Sequence, residues 1–500
     1  MNTLFHPPQF PSPAIRDAVR GLLAGAGYSE TGLAAGLGPD VMRLPLRGRA
    51  PELRHRAAGH TALQVLVRLF LAGLPVARAE ALDMLGAGGV ESLRQAGLLS
   101  DAGGDVQATA GLTPAGGHVF AHDRRDAHHA GSAEFVVGPG PATRRFAELA
   151  IRRGVGATLD LGCGQGVLGI LAAAHSGRVV AADVSARALA FCAFNAQLND
   201  CGNVSVAQGD LFAPASGQRF DLILCNPPYA ISPASTFLYR DGGGGICERI
   251  ARAAPAHLAA GGILQMACNW AHRRGHDWQA DLARWFEGTG CDAWVLRIDS
   301  FEAAAYAGVW LRQEHDDDAA LAAEFDRWMA FYEREGIEAV SGGLVVMRPA
   351  VGRAPWFEVR DLPPGSGPCG ESLARVLDAR DFARRATGDR ALLDAILMLA
   401  PDVAAVESRR ATGEGWEAQK VDLCAQRGLG FAARLDPVGA ALVGFLDGRR
   451  TLREAAGAFA RAHGIDPEML HAGLPALIRP LLELGLVCAA GAVTAPPGEG

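Results

Sequence analysis

Between residues 155 and 225 short apolar runs alternate with longer amphipathic stretches, and most runs stop at a glycine, a proline or an acidic residue. The runs at 157–161, 178–182, 204–208 and 220–225 read as buried strands, and an apolar helix starts at Val167 after the first of them. Strands alternating with helices in this way predict a parallel, doubly wound sheet. A Pro-containing helix near 246–260 leads to a fifth strand at 262–267. A sixth is expected at 305–311 and a seventh at 343–348. Between the last two, 316–335 is a charged amphipathic helix with Phe325, Trp328, Met329 and Tyr332 on one face. That stripe is a core face, and the helix reads as an insertion able to form a substrate wall.

The flanks have a different pattern. Apolar periodicity predicts helices at 60–72, 77–84 and 89–98, then a small hairpin at 103–108. Beyond a Pro/Gly linker at 362–368, helices are expected at 438–446, at 451–463 behind a Thr451/Glu454 capping box, and from 466 to 484. Residues 485–488 then read as a strand entering a wing. Helices followed by a hairpin or wing suggest a winged helix on each side. Three domains are therefore expected, at 1–125, 126–350 and 351–500.

Composition narrows the class. Five hundred residues at 49% hydrophobic content suit a soluble multi-domain chain. No apolar run reaches the length of a membrane span, and the first ten residues lack a basic region and an apolar core. A cytoplasmic location is expected. The 10 Cys show no C-x-x-C pair, which argues against structural zinc and a disulfide scaffold. A net charge of −7, with 14 Arg against 13 acidic residues in 1–150, is not the footprint of a strong duplex binder. Lys420 is the only lysine, so Arg carries nearly all the positive charge.

The chemistry concentrates in Asn226-Pro227-Pro228-Tyr229. Two prolines cannot extend a sheet ladder, so the strand before them must stop. The tetrapeptide can be a plain proline turn. It is also a rigid polar notch: the Asn226 carboxamide oxygen and the Pro227 carbonyl can each accept one N–H of an NH2 group, with the Tyr229 ring behind it. Upstream, the strand at 157–161 runs into Gly162-Cys163-Gly164-Gln165-Gly166, which brings bare backbone and a helix start toward a ligand. Asp183 ends the next strand and is placed to accept from ribose hydroxyls. Taken alone, Gly164-x-Gly166-x-x-Gly169 fits a nucleotide cofactor as well as S-adenosylmethionine. Asp160 before the loop favours the latter, whose ammonium wants a carboxylate.

As a set, Asp160 to Gly166, Asp183, Gly209-Asp210-Leu211-Phe212 and Asn226 to Tyr229 resemble the class I S-adenosylmethionine-dependent methyltransferases. More narrowly, the set resembles the group that methylates planar nitrogens, which includes the release-factor glutamine N5-methyltransferases and the adenine N6 and guanine N2 enzymes. The resemblance covers roughly residues 130–350 and implies an α/β fold with a seven-stranded Rossmann-like methyltransferase sheet; the mainly helical, winged-helix-like N- and C-terminal domains read from the pattern above lie outside it, and there the chain departs from the family. The resemblance also implies that Asp160, Gly162, Gly164 and Gly166 serve the methionine end of the cofactor, S-adenosyl-L-methionine. Asp183 would hold the ribose, and Asp210 with the Leu211 backbone the adenine. Asn226, Pro227 and Tyr229 would hold the acceptor nitrogen. No metal is implied, and Cys163 and Cys225 read as buried apolar thiols.

The expected acceptor is a macromolecule, with a protein or peptide amide slightly favoured over an RNA or DNA base amine. A regulatory protein that binds the cofactor without turnover is the competing class, and hydride transfer is a minor third. Three further segments carry expectations. The loop 236–245, with Tyr239 and Arg240, reads as a lid or a connector. The polar run His122 to His129 reads as a solvated linker and not a metal site. The Gly/Pro stretch 137–143 reads as a cover for the cofactor, with Thr143 equally a helix N-cap.

Overall fold

A computed structural model describes residues 5–43, 50–124, 134–233, 245–312 and 317–490. The chain forms two compact units, one of residues 1–147 with 154–361 and the other of 148–153 with 362–500. The boundaries expected at 125 and 350 do not coincide with this division. The N-terminal helices share a unit with the large sheet, and that unit runs on to Asp361.

The first unit is built on an α/β sheet of eight strands: β1 (Val155–Leu161), β2 (Ser176–Asp183), β3 (Val204–Gln208), β4 (Phe220–Cys225), β5 (Leu258–Arg273), β6 (Cys291–Glu302), β7 (Ile337–Pro349) and β8 (Phe357–Asp361). Their spatial order is β8-β6-β7-β5-β4-β1-β2-β3. Strands β5, β4, β1, β2 and β3 run parallel, and β7 is antiparallel to both neighbours. Two expectations are corrected. Residues 305–311 are not a strand but part of a helix, Ala303–Leu311, because an Ala-rich apolar run satisfies helix propensity as readily as strand burial. The missing strand is β6, and β8 adds an eighth at the edge.

Strand β5 outruns its parallel partner. Met266 pairs with Cys225 at the end of β4, yet β5 continues to Arg273, paired only with β7. With β6 alongside, this makes an antiparallel wall rising roughly 20 Å above the carboxyl edge of the parallel strands. The helix Asp318–Glu335 packs on it as the stripe predicted: Trp328 and Tyr332 are buried with Tyr306, Leu311 and Val340.

The N-terminal helices, among them Pro13–Gly25 and the kinked Arg78–Gln95, share one apolar core with Phe191, Phe194 and Leu198 of the helix Ala186–Leu198 behind β2. Gly86 (φ 73) breaks Arg78–Gln95 where two helices were expected. A three-stranded sheet, Val76–Ala77, Asp105–Ala108 and Leu99–Ala102, contains the expected hairpin. The expected solvated linker is overturned at its start. His122 and Asp123 are buried: His122 faces the Thr113 hydroxyl at 2.8 Å, and Asp123 pairs with Arg187. The rest of that run lies outside the described residues.

The second unit combines the helices Gly370–Arg385, Pro437–Val443, Leu452–His463, Pro467–His471 and Leu474–Glu483 with two three-stranded sheets. The Thr451/Glu454 capping box forms as expected. No helix among the described residues is long and apolar enough to cross a membrane.

Candidate active site

Strand β1 lies between β2 and β4, so the succession of strands reverses at β1. Such a switch leaves a crevice outside the carboxyl ends of the two inner strands. Leu161 pairs with Cys225, so Gly162 and Asn226 leave neighbouring strands at the same level. The glycine loop and the Asn-Pro-Pro-Tyr bend therefore open side by side.

The three loop glycines do different work. Gly162 (φ 69), Gly164 (φ 54) and Gly166 (φ 89) all adopt the left-handed backbone that disfavours side chains. A Cβ on Gly162 or Gly164 would meet nothing within 4 Å, so both present bare backbone to open space. A Cβ on Gly166 would fall 2.5 Å from the Cys192 sulfur, so this glycine lets the helix Val167–Ala173 start against its neighbour.

Three acidic residues stand at the ends of β1, β2 and β3. Asp160 is 1% exposed, and its carboxylate accepts the Gly169 N–H at 2.7 Å. Burial, opposed by that hydrogen bond and reinforced by Asp183, pushes its pKa up to about 7. Asp183 accepts the N–H of Gly164 at 2.9 Å and of Ser185 at 2.8 Å. It braces the glycine loop, and a carboxylate so engaged keeps lone pairs for further donors. Asp210 is exposed, with Arg249 at 3.8 Å. Leu211 after it has φ 45, one of two described non-glycine residues with positive φ. Such strain persists only where the surroundings impose it, and Gly209 N–H to Asp183 O at 3.0 Å is part of that frame.

On the other side of the crevice, Asn226 donates from Nδ2 to the Thr143 hydroxyl at 3.3 Å. Thr143 lies within the helix Pro141–Leu149, so it is not an N-cap. Asn226 Oδ1 is buried and has no hydrogen-bond partner among the described residues. Tyr229 meets Trp310 edge-on at 6.2 Å, and burial raises its phenol pKa. Cys163 and Cys225 are buried thiols with raised pKa, Cys163 chiefly by its contact with Cys192 and Cys225 by burial. Among the described residues no cluster of His, Cys, Asp and Glu could hold a metal. Tyr239 and Arg240 lie outside the described residues.

Several residues that sequence reasoning missed hold this frame. Asn195 is fully buried: its carboxamide accepts from Ala121 N and donates to the carbonyls of Ala121 and Gln165, tying the hairpin of Gly111–Ala115 and His118–His122 to the glycine loop. An Asn inside an otherwise apolar helical stretch was its one signal. Beyond the bend, Ile231 donates to Tyr306 Oη at 3.2 Å and its carbonyl accepts from Tyr332 at 2.8 Å. Asn269 Nδ2 also donates to Tyr306 Oη, at 2.6 Å. Tyr332→Phe removes one of these bonds and is expected to lower unfolding free energy by about 1 kcal/mol in a denaturant titration.

Residues 141–287 match the family profile described as the methyltransferase small domain. Two further profiles, each for a domain of unknown function, match 25–109 and 374–489. The chain is 32% identical over 126 residues to a release factor glutamine methyltransferase of Xylella fastidiosa, covering 22% of this chain and 46% of the relative. It is 41% identical over 122 residues to a ribosomal protein uL3 glutamine methyltransferase of Bradyrhizobium diazoefficiens, covering 21% and 38%. A ribosomal RNA small subunit methyltransferase C of Alcanivorax borkumensis is 32% identical over 114 residues, covering 23% and 32%. The chain thus spans less than half the length of each of these relatives.

Proposed function

We propose that this chain, whose residues 141–287 form a class I S-adenosylmethionine-dependent methyltransferase domain, transfers a methyl group to a planar nitrogen of a macromolecule, a protein or peptide amide before a nucleobase amine. One observation carries the choice of nitrogen. Asn226 Oδ1 is a buried acceptor with no donor among the described residues, at the strand end beside the glycine loop. An unmade buried hydrogen bond is costly, and an incoming N–H would make it. Two of the three relatives above are named as glutamine methyltransferases, which supports the amide. The third is named for ribosomal RNA and supports the base amine as the second reading.

The site fits S-adenosylmethionine. Gly162 and Gly164 leave open space that would take its methionine end, Asp160 would supply a carboxylate to its ammonium, and Gly166 sets the turn. Asp183 is proposed to hold the ribose, and Asp210 with Leu211 the adenine. The bound cofactor supplies a methyl on positive sulfur. Asn226 Oδ1 and the Pro227 carbonyl orient the acceptor nitrogen, Tyr229 covers its flat face, and the walls exclude water. On transfer the sulfur would keep the bond pair and leave as a neutral thioether, and the methylated nitrogen would lose one proton to solvent, so no side-chain base is assigned. Functionally the chain is proposed to divide into 1–125, 126–350 and 351–500, the middle segment catalytic and the outer two winged-helix-like; the first two of these segments belong to one compact unit.

The test uses methyl-labelled cofactor and a lysate. Label released by protease and not nuclease supports the amide, and the reverse favours the base amine. Cofactor binding without label transfer would indicate a binding protein. Asp183→Ala, which also frees the N–H groups of Gly164 and Ser185, is expected to weaken S-adenosylhomocysteine binding by about 1–3 kcal/mol in calorimetry.

A further inference from the structure

The wall above the Asn-Pro-Pro-Tyr bend carries an acidic notch that the chemistry so far does not use. Gly342 of β7 lies between Asn269 of β5 and Asp299 of β6. A Cβ there would fall 2.6 Å from Asp299 Oδ1 and 2.9 Å from Asn269 Oδ1, so both oxygens face the space that glycine leaves. Asn269 has committed its Nδ2 to Tyr306, which turns its oxygen, an acceptor only, toward the notch. Tyr306 in turn holds Ile231, two residues past Tyr229. The notch therefore adjoins the acceptor pocket.

The Gly342 backbone N–H hydrogen-bonds the Asp299 carboxylate, and no cation among the described residues balances its charge. Arg297, two residues earlier, is bound to Asp361 at 2.6 Å and stacks on Trp278. Among the described residues Asp299 has no ion pair. It stands open to solvent, so a ligand can reach it, yet enough protein surrounds the carboxylate for burial to raise its pKa. Two acceptor oxygens side by side, one of them anionic, need a donor-rich cation. They repel a phosphate.

Building on the methyl-transfer function proposed above, we propose that Asp299, with Asn269 across Gly342, is a specificity site that binds a guanidinium or ammonium side chain next to the methylated amide of a polypeptide acceptor. The site favours a basic peptide over a nucleic acid, whose backbone would bring negative charge to the notch.

The test uses the full chain saturated with S-adenosylhomocysteine and two capped peptides, Ala-Gln-Arg-Ala and Ala-Gln-Glu-Ala, titrated by calorimetry. The Arg peptide is expected to bind at least ten-fold tighter. Asp299→Asn, an isosteric change, should erase the preference without altering S-adenosylhomocysteine affinity, and Asp299→Lys should invert it. Gly342→Ala should weaken the Arg peptide alone. Equal binding of both peptides, no binding of either, a preference that survives Asp299→Asn, or tighter binding of a ten-nucleotide RNA than of the Arg peptide would overturn the assignment. Failure of the wild-type chain to bind S-adenosylhomocysteine would instead strike the underlying methyl-transfer function.

Discussion

Asn226→Ala is expected to cut methyl transfer at least ~100-fold while S-adenosylhomocysteine affinity stays within a few-fold. Asn226 leaves β4 while the cofactor loop leaves β1, and none of its hydrogen bonds runs to that loop. Its Nδ2 is held by Thr143, which fixes the carboxamide plane and leaves Oδ1 for a ligand. The proposed acceptor, an amide nitrogen, is a poor nucleophile, so its orientation toward the sulfonium is expected to account for much of the rate. Displacement by an ångström costs on the order of 100-fold. The substitution also leaves the acceptor N–H facing a gap that water fills. Label incorporation into lysate protein and calorimetric binding, measured on the same preparation, separate the two effects. Equal losses of both would remove Asn226 from the acceptor side and place it among the cofactor's supports.

How much of this was readable from sequence follows from what each residue depends on. Strands β1 to β4 were legible because apolar runs end at Gly162, Asp183, Gly209 and Asn226, residues that also begin the site. Strand β6 was not, because Asp292, Arg297 and Asp299 make it look polar. Asp292 is nonetheless buried, its charge met by Arg353, 61 positions away. His122 and Asp123 looked solvated for the same reason, since Arg187 that satisfies Asp123 lies far along the chain. The run 305–311 misled because period and apolarity alone do not separate a short buried strand from a buried helix. Within the site, the motif residues were legible one by one. Their frame was not: Asn195 meets Ala121 across 74 positions, and Tyr332 meets Ile231 across 101. Such pairs exist only once the sheet order is known, and the order was set by a crossover that no local pattern encodes.

Asp160→Asn should stabilise the free protein and weaken its hold on cofactor, two effects of opposite sign from one atom. The carboxyl is almost fully buried, and its pKa is raised from 3.8 to about 7. The native state therefore binds its proton more tightly than the unfolded chain does. Stability from this group is complete below the unfolded pKa of about 4 and is lost as pH rises toward 7. Above that, the ionised carboxylate costs the free protein up to about 4 kcal/mol. Asparagine keeps an oxygen for the Gly169 N–H and carries no charge, so the variant should recover much of that loss at pH 7.5 and little at pH 5. Cofactor binding runs the other way. The ammonium of S-adenosylhomocysteine favours the ionised form, so wild-type affinity should climb as pH passes through 7, with proton release. The variant should bind roughly 10- to 100-fold more weakly, within the 1–3 kcal/mol of a lost charged hydrogen bond, and show little of that slope. Denaturant unfolding of both proteins at pH 5 and 7.5, with calorimetry in two buffers of different ionisation enthalpy, reads both quantities. Taking the difference between the proteins cancels other titrating groups. A stability difference that does not change with pH would mean that Asp160 is ionised throughout, and its carboxylate would then be paired by something other than the cofactor.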